Sequence, residues 1–166
     1  MIRLAQTSDL DRILQITRLC ASEMESRKVS QWNEHYPDRQ SFISDINSGE
    51  LYVYCINDMV VGCISICSLM DEVYRKVSWK TNGKNSVYIH RLAVEPGHQK
   101  QGIGGKLMDF AEKKSKSDGI DSIRLDTFSQ NIVNQNFYEA RGYIKLEDIY
   151  FPLQSEHPFH CYELLF

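Results

Sequence analysis

The sequence predicts an α/β fold, a sheet of mixed direction with helices on both faces, and three observations predict it. Short apolar runs bounded by turn residues recur along the chain, and two of them, LYVYCI and VVGCISICSL, are separated by Asn57 and Asp58, which is a hairpin signal. Elsewhere the runs alternate with stretches whose apolar residues repeat at helical spacing, and strand, helix, strand in that order implies crossovers between parallel neighbours. At 166 residues the chain has the length of one domain with one well-buried core, so a single domain over 1–166 is expected, with no appended module.

The elements follow in order. A first strand is predicted over 2–5. Ser8 or Asp9 stands where a cap is needed for a helix whose face carries Leu10, Ile13, Leu14, Thr17, Ala21 and Met24. After the aromatic and polar segment QWNEHYP, a shorter helix is predicted from Asp38 or Arg39 to Asn47, stopped by Gly49. The hairpin comes next, then a polar loop with Asn82 and Gly83, then the strand SVYIHRLAV, cut off by Glu95 and Pro96. In PGHQKQGIGGKLMDFAEKKSK, Ile103, Leu107, Phe110, Ala111 and Lys114 share a helical face behind a glycine-rich entry. Asp118 and Gly119 close that helix, IDSIRLDTF reads as a strand, and 131–140 as a short helix ended by Arg141 and Gly142. Two last strands are predicted over 143–150 and 159–165, with Pro152 and Pro158 confining the loop between them.

Composition narrows the function. A formal net charge of -3 leaves no global basic field, which argues against nucleic acid or an anionic membrane as partner. Lys113, Lys114 and Lys116 fall at a helix end, where cations complement the carbonyl end of the macrodipole. The N-terminus carries acidic residues where a signal peptide needs an apolar run, and no stretch approaches the roughly 18 apolar residues of a membrane span, so a cytoplasmic location is expected. Cys20, Cys55, Cys63, Cys67 and Cys161 are odd in number and form no CxxC pair, which suits reduced, buried thiols. His157, His160 and Cys161 lack a further ligand at familiar spacing, and no metal is expected.

Chemistry enters at QKQGIGG. Its glycines let the backbone approach an anion closely, and the unpaired amides at the following helix start point at it, so a phosphate or pyrophosphate is the inferred ligand. A dinucleotide fingerprint needs glycine where Leu107 stands. A P-loop needs glycine at Lys100 and Ser or Thr after Lys106. Both fail at defining positions, and three glycines at a helix start need a reason, since each lowers helix stability by up to about 1 kcal/mol relative to alanine.

What remains is QxxGxG, filled by Gln99, Gly102 and Gly104, and it resembles the acyl-CoA signature of the GNAT superfamily of N-acetyltransferases. NIVNQNFYEARGY resembles that family's fourth helix, with Asn131 at its start, Tyr138 seven residues later, and Gly142-Tyr143 in place of the commoner Gly-Phe. The resemblance implies a mixed, mostly antiparallel sheet of about seven strands flanked by about four helices. It also implies acetyl-CoA as donor. The amides of Gln101, Gly102, Ile103, Gly104 and Gly105 would take the pyrophosphate, the backbone of Leu92, Ala93 and Val94 would pair with the pantetheine arm like an added strand, Gln99 and Lys100 would flank the phosphates, and Asn131 would bond near the pantetheine.

Acetyl transfer needs a neutral amine and a base to take its proton. His90 stands in the strand where several enzymes of the family carry a glutamate base. By alternation it shares a face with Tyr88, Leu92 and Val94, which suits a half-buried structural histidine as well, and Glu95 or a water relay are the alternatives. The resemblance gives Tyr138 as the acid that protonates the departing thiolate; ignoring it, Tyr138 reads as a core aromatic beside Phe137. No cysteine lies in either motif, so direct attack without a covalent enzyme intermediate is expected. Trp32, His35, Tyr36, Trp79, Tyr150, Phe151 and His157 are candidate walls of an acceptor pocket. The expected function is transfer of acetyl to a primary amine of a small molecule; a peptide or protein amine, or a non-catalytic CoA-binding sensor, are the alternatives. Oligomeric state, including a homodimer, stays open.

Overall fold

A computed structural model describes residues 1–33 and 35–166. The strands are β1 (Ile2–Leu4), β2 (Leu51–Ile56), β3 (Met59–Cys67), β4 (Ser86–Val94), β5 (Ser122–Phe128), β6 (Ile144–Ile149) and β7 (Phe159–Leu165). The helices are α1 (Leu10–Ser26), α2 (Arg39–Asn47), α3 (Ile103–Ser117) and α4 (Ile132–Ala140). One seven-stranded sheet runs in the order β1-β2-β3-β4-β5-β7-β6, antiparallel throughout except where β4 meets β5. Among the described residues, no helix is long and apolar enough to cross a membrane.

Period and burial agree in β2. Leu51, Val53 and Cys55 are buried and the residues between them are half-exposed, as alternation requires when one face packs on a core. Ile13 and Ile16 of α1 and Phe42 of α2 cover that face with Leu51, Val53 and Cys63. Leu107, Met108 and Ala111 of α3 and Tyr138 of α4 cover the other face, against Ile64, Ile89, Ile123 and Leu125. A third cluster, Tyr74, Tyr88, Phe128, Phe159 and Cys161, lies under the connection between β3 and β4. Burying each such aliphatic or aromatic side chain stabilises the fold by roughly 1.5–3 kcal/mol.

Two departures from regular geometry shape the centre of the sheet. First, the parallel β4/β5 ladder runs from Ser86↔Ser122 to Tyr88↔Arg124 and stops there, so the strands diverge into a wedge. The closed end of the wedge is clasped by a buried ion pair. Glu163 accepts hydrogen bonds from Arg124 Nε (3.1 Å), Thr81 Oγ1 (2.6 Å), Ser122 Oγ (2.9 Å) and the Lys80 amide (2.5 Å), while the Arg124 guanidinium lies 4.5 Å from the Trp79 ring centre. With its lone pairs and N–H groups occupied, the pair avoids the penalty of an unsatisfied buried charge.

Second, β4 bulges. Cys63 pairs with Ala93 but Ser65 pairs with His90, so one extra residue is inserted on β4, and Arg91 takes the left-handed φ of 52°. This corrects strict alternation: Leu92 and Val94 pack with the α3 side of the sheet, whereas Tyr88 belongs to the cluster on the opposite face. His90 and Arg91 are both turned toward that opposite face, His90 onto Tyr74 and Arg91 onto Asp45.

The helices match the expected spacing, with Asp38 capping α2 through Ser41 N (2.7 Å) and Asn131 capping α4 through Asn134 N (3.1 Å). Three short 3-10 turns, Thr7–Asp9, Glu72–Lys76 and Pro96–His98, lie where the sequence predicts a cap or loop. The second puts Tyr74, fully buried, inside what reads as a polar connection.

Candidate active site

The wedge opens into a cleft of about 920 Å³. At one end stands the glycine-rich entry to α3. Gly102 is the N-cap residue with φ of 77°, a left-handed conformation that glycine adopts without a Cβ clash. The first intrahelical bond runs from the Lys106 amide to the Gly102 carbonyl (3.0 Å), so the amides of Ile103, Gly104 and Gly105 lie in the first turn with no intrahelical acceptor. A Cβ at Gly104 would meet nothing closer than Val94 Cγ2 at 3.9 Å, and one at Gly105 nothing within 4 Å. The space beside them belongs to the cleft, whose wall includes Lys100, Gly102, Ile103, Gly104 and Gly105. Open space beside unpaired amides at a helix N-terminus fits a pyrophosphate.

Leu92, Ala93 and Val94 form the free β5-facing edge of β4 where it lines the cleft. An edge strand with unpaired backbone groups can accept an extended amide-bearing chain. Gln99 lines the cleft beside Lys100, and its Nε2 donates to the Val94 carbonyl (3.0 Å), bracing the loop against the strand. Gln101 is exposed and its side chain donates to the Gly97 carbonyl (3.4 Å). Asn131 is doubly engaged, as the cap of α4 and as donor to Gln31 Oε1 (2.8 Å).

Tyr138, Asp126, His90 and Tyr36 come together on the cleft walls further in. Tyr138 reaches it from α4, wedged among Phe137, Tyr143 and Tyr162 at 5.3, 5.7 and 6.1 Å. Burial, with the charge of Asp126, pushes its phenol above the ordinary value, so the hydroxyl holds its proton at neutral pH. His90 stacks on Tyr74 (6.1 Å) with its Nε2 3.9 Å from Asp71. Burial outweighs the Asp71 charge and lowers its pKa to about 4, so the imidazole is neutral at neutral pH.

Sequence reasoning missed Asp126, Tyr74 and Arg91. Asp126 projects from the diverging part of β5, and its Oδ2 accepts from the Tyr74 hydroxyl at 2.5 Å. Burial raises its carboxyl to about 6, the Tyr74 bond opposes that, and the charge of Asp71 adds to it. A carboxylate inside the apolar run IDSIRLDTF is the signal that points to it. Arg91 is held by Asp45 through Nε (2.8 Å) and Nη2 (2.5 Å) and donates to the Tyr36 hydroxyl (3.2 Å).

Of the candidate acceptor walls, Trp32, Tyr36 and Phe151 line the cleft; His35, Trp79, Tyr150 and His157 are not among its lining residues. Trp79 serves the Arg124 clasp instead. Glu95 also stands away from the cleft, its carboxylate committed to Arg12 (2.8 Å) and His98 (2.9 Å). The five cysteines are free and buried. Cys20 lines the cleft, but burial raises its thiol to about 12 and it donates to the Val94 carbonyl (3.2 Å), which makes it a poor nucleophile.

An open helix start, an unpaired strand edge and a protonated tyrosine around one wedge suit an acyl-CoA-dependent transferase. The model of the Acetyltransferase (GNAT) family matches residues 11–143, and the chain belongs to that family. It is similar to the uncharacterized N-acetyltransferase YesJ of Bacillus subtilis, at 24% identity over 138 residues that cover 81% of this chain and 76% of the relative. Its fold is that of a GNAT-family acetyltransferase of Streptococcus agalactiae (TM-score 0.85, 21% identity, 100% of this chain and 95% of that one). The PaiA N-acetyltransferase of Thermoplasma acidophilum, solved in complex with coenzyme A, shares the fold with TM-score 0.73 and 19% identity over 100% of this chain and 98% of that one. The chain is accordingly an acetyl-CoA-dependent N-acetyltransferase.

Proposed function

We propose that the protein transfers the acetyl group of acetyl-CoA to a primary amine of a small molecule, by direct attack and without a covalent enzyme intermediate. The observation that carries this reading is the single cleft that joins the α3 glycine start, the free β4 edge and Tyr138. Acetyl-CoA supplies a thioester, whose carbonyl carbon is the electrophile. The amides of Gln101, Gly102, Ile103, Gly104 and Gly105 hold the pyrophosphate, with the Lys100 ammonium nearby. Leu92, Ala93 and Val94 receive the pantetheine arm, beside Asn131 at the start of α4. Tyr138, protonated at neutral pH, gives a proton to the departing sulfur. For the amine's proton the cleft offers His90 and Asp126, both shifted by burial, in addition to the more exposed Glu23, Asp71 and Glu72.

Acceptor size follows from the walls. Asn33 Nδ2 donates to the Leu153 carbonyl (3.1 Å) and Gln31 accepts from Asn131 (2.8 Å), so residues 31–33 are tied to the 151–154 loop and to α4, beside the cleft residues Trp32, Tyr36 and Phe151. Such a bridged wall suits a compact amine better than an extended peptide. Direct attack is supported by the buried, protonated state of Cys20, Cys63 and Cys67, each pushed up to about 12.

The test is release of CoA thiol across a panel of alkylamines, diamines, amino-acid amides and short peptides with free N-termini. Turnover of small amines is expected. Turnover of peptides alone would move the acceptor class to polypeptide, and tight acetyl-CoA binding with no thiol release would make the domain a CoA sensor.

A further inference from the structure

We infer that Asp126 is the group that takes the amine's proton, and that Tyr74 is a positioning residue which fixes the Asp126 carboxylate and sets the pH at which it works. The inference rests on the acetyl-transfer reading above and deepens it.

Three observations converge. Asp126 stands on β5 just past the point where the β4/β5 ladder stops, so its side chain lines the cleft where the two strands have parted. Tyr74 comes from the opposite direction, out of the connection between β3 and β4, and its hydroxyl donates to Oδ2 at 2.5 Å. One carboxylate oxygen is thereby tied down on a residue that lines the cleft. Tyr74 itself is fully buried and immobilised by rings on three sides, Trp79 at 5.3 Å, Tyr88 at 5.7 Å and His90 at 6.1 Å. Its carbonyl accepts from Trp79 Nε1 (3.0 Å), and Trp79 is held by the Arg124 clasp. A buried tyrosine so constrained, with its one hydroxyl spent on a cleft carboxylate, has a purpose beyond filling space.

Charge decides between Asp126 and His90. A proton acceptor is most effective when its pKa approaches the working pH. His90 is held near 4 by burial, whereas burial raises Asp126 to about 6. The groups that interact with Asp126 come from several elements: Asp71 and Tyr74 from the β3–β4 connection, Cys161 opposite it on β7, Tyr138 from α4 and Tyr36 before α2, while His90 of β4 stacks on Tyr74. Asp71 keeps the proton on, and the Tyr74 bond favours the carboxylate. In the step itself, the neutral amine forms the new C–N bond and gives a proton to Asp126. The C–S bond breaks, and the sulfur leaves with the proton of the Tyr138 hydroxyl. The proton gained by the carboxylate equals the one lost by the phenol, and exchange with solvent restores both.

The test has an arm that needs no acceptor. Carbon-13 NMR of labelled aspartate carboxyls should show one carboxyl titrating near pH 6 in the wild type, absent in Asp126→Asn and moved to higher pH in Tyr74→Phe, because the phenylalanine keeps the stacked ring and removes the bond that favours the charge. The kinetic arm uses the amine selected by the panel above. Asp126→Asn should lower kcat/KM by roughly 10²- to 10⁴-fold and abolish its acid limb; Tyr74→Phe should shift that limb upward in pH; His90→Gln should leave the limb where it is. Acetyl-CoA affinity, read by calorimetry, should be unchanged in all three. A limb that survives in Asp126→Asn and vanishes in His90→Gln overturns the assignment, as does a Tyr74→Phe profile superimposable on the wild type. Failure of the wild type to bind acetyl-CoA or to turn over any amine would instead defeat the underlying reading.

Discussion

The Arg91 guanidinium grips the Asp45 carboxylate through Nε and Nη2, at 2.8 and 2.5 Å, from a backbone held at φ 52°. Both side chains are about nine-tenths buried, Arg91 at 10% and Asp45 at 8% exposure. Ser65 donates to the same carboxylate (2.5 Å), and Tyr36 accepts from Arg91. The bulge that aims His90 into the cleft is therefore anchored to α2 by an ion pair. Removing one partner leaves the other charge buried alone, so Asp45→Ala should destabilise the fold by about 3–5 kcal/mol. Urea unfolding should show a lowered midpoint at unchanged slope. A loss below about 1 kcal/mol would place the pair in the class of solvated surface bridges and remove its anchoring role.

The glycine start of α3 makes a second, separable prediction. Because a Cβ at Gly104 meets only Val94 Cγ2 at 3.9 Å, Gly104→Val should fold, with its branched side chain standing in the space assigned to the pyrophosphate. Calorimetry should find acetyl-CoA affinity collapsed while the circular dichroism spectrum stays native. Unchanged affinity in the folded variant would sink the proposed site.

Legibility in the sequence followed the strength of local signals. β2, β4 and β7 begin and end where apolar runs give way to turn and polar residues. The α3 entry was legible because three glycines at a helix start carry a cost that needs a cause. Arg91 was not, for a bulge depends on pairing with β3 and leaves no compositional trace; with it went the true facing of Leu92 and Val94. Tyr74 was hidden in a connection whose composition is polar. Asp126 gains its character only when β4 and β5 part and Tyr74 arrives from 52 residues away.

Stability against pH should separate His90 from Asp126 without any assay of turnover. His90 titrates near 4 in the native state and near about 6.5 when unfolded, so between those values the unfolded chain binds more protons. Its contribution is fully present above pH 6.5 and is lost as pH falls toward 4, by up to about 3 kcal/mol. Asp126 has the opposite sign. Its native value of about 6 lies above the ordinary 3.8, so it favours the fold at low pH and that stability is lost as pH rises through 6. In the wild type the two slopes offset each other between pH 4 and 6. Chemical denaturation of His90→Gln should show stability falling as pH rises through this window, and Asp126→Asn should show it falling as pH drops. Parallel profiles for the two variants would refute the opposed shifts.

The last prediction concerns Tyr138, whose phenol lines the cleft at the helix that follows Asp126. A thiolate leaving group has a pKa near about 8.5 and needs less protonation than an alkoxide or an amide ion, so the loss from removing the acid should fall toward the low end of the usual range for acid-base catalysis. Tyr138→Phe should therefore lower kcat by about 10- to 100-fold, some 1.4 to 2.7 kcal/mol of barrier. Phenylalanine keeps the ring contacts with Phe137, Tyr143 and Tyr162, so packing and acetyl-CoA affinity should change little. That separates an acid from an aromatic that merely fills the core. Single-turnover acetyl transfer with acetyl-CoA saturating excludes product release and reads the chemical step alone. A phenylalanine variant that transfers acetyl at the wild-type rate would mean that the sulfur departs without this proton, leaving Tyr138 as a packing residue between α4 and the sheet.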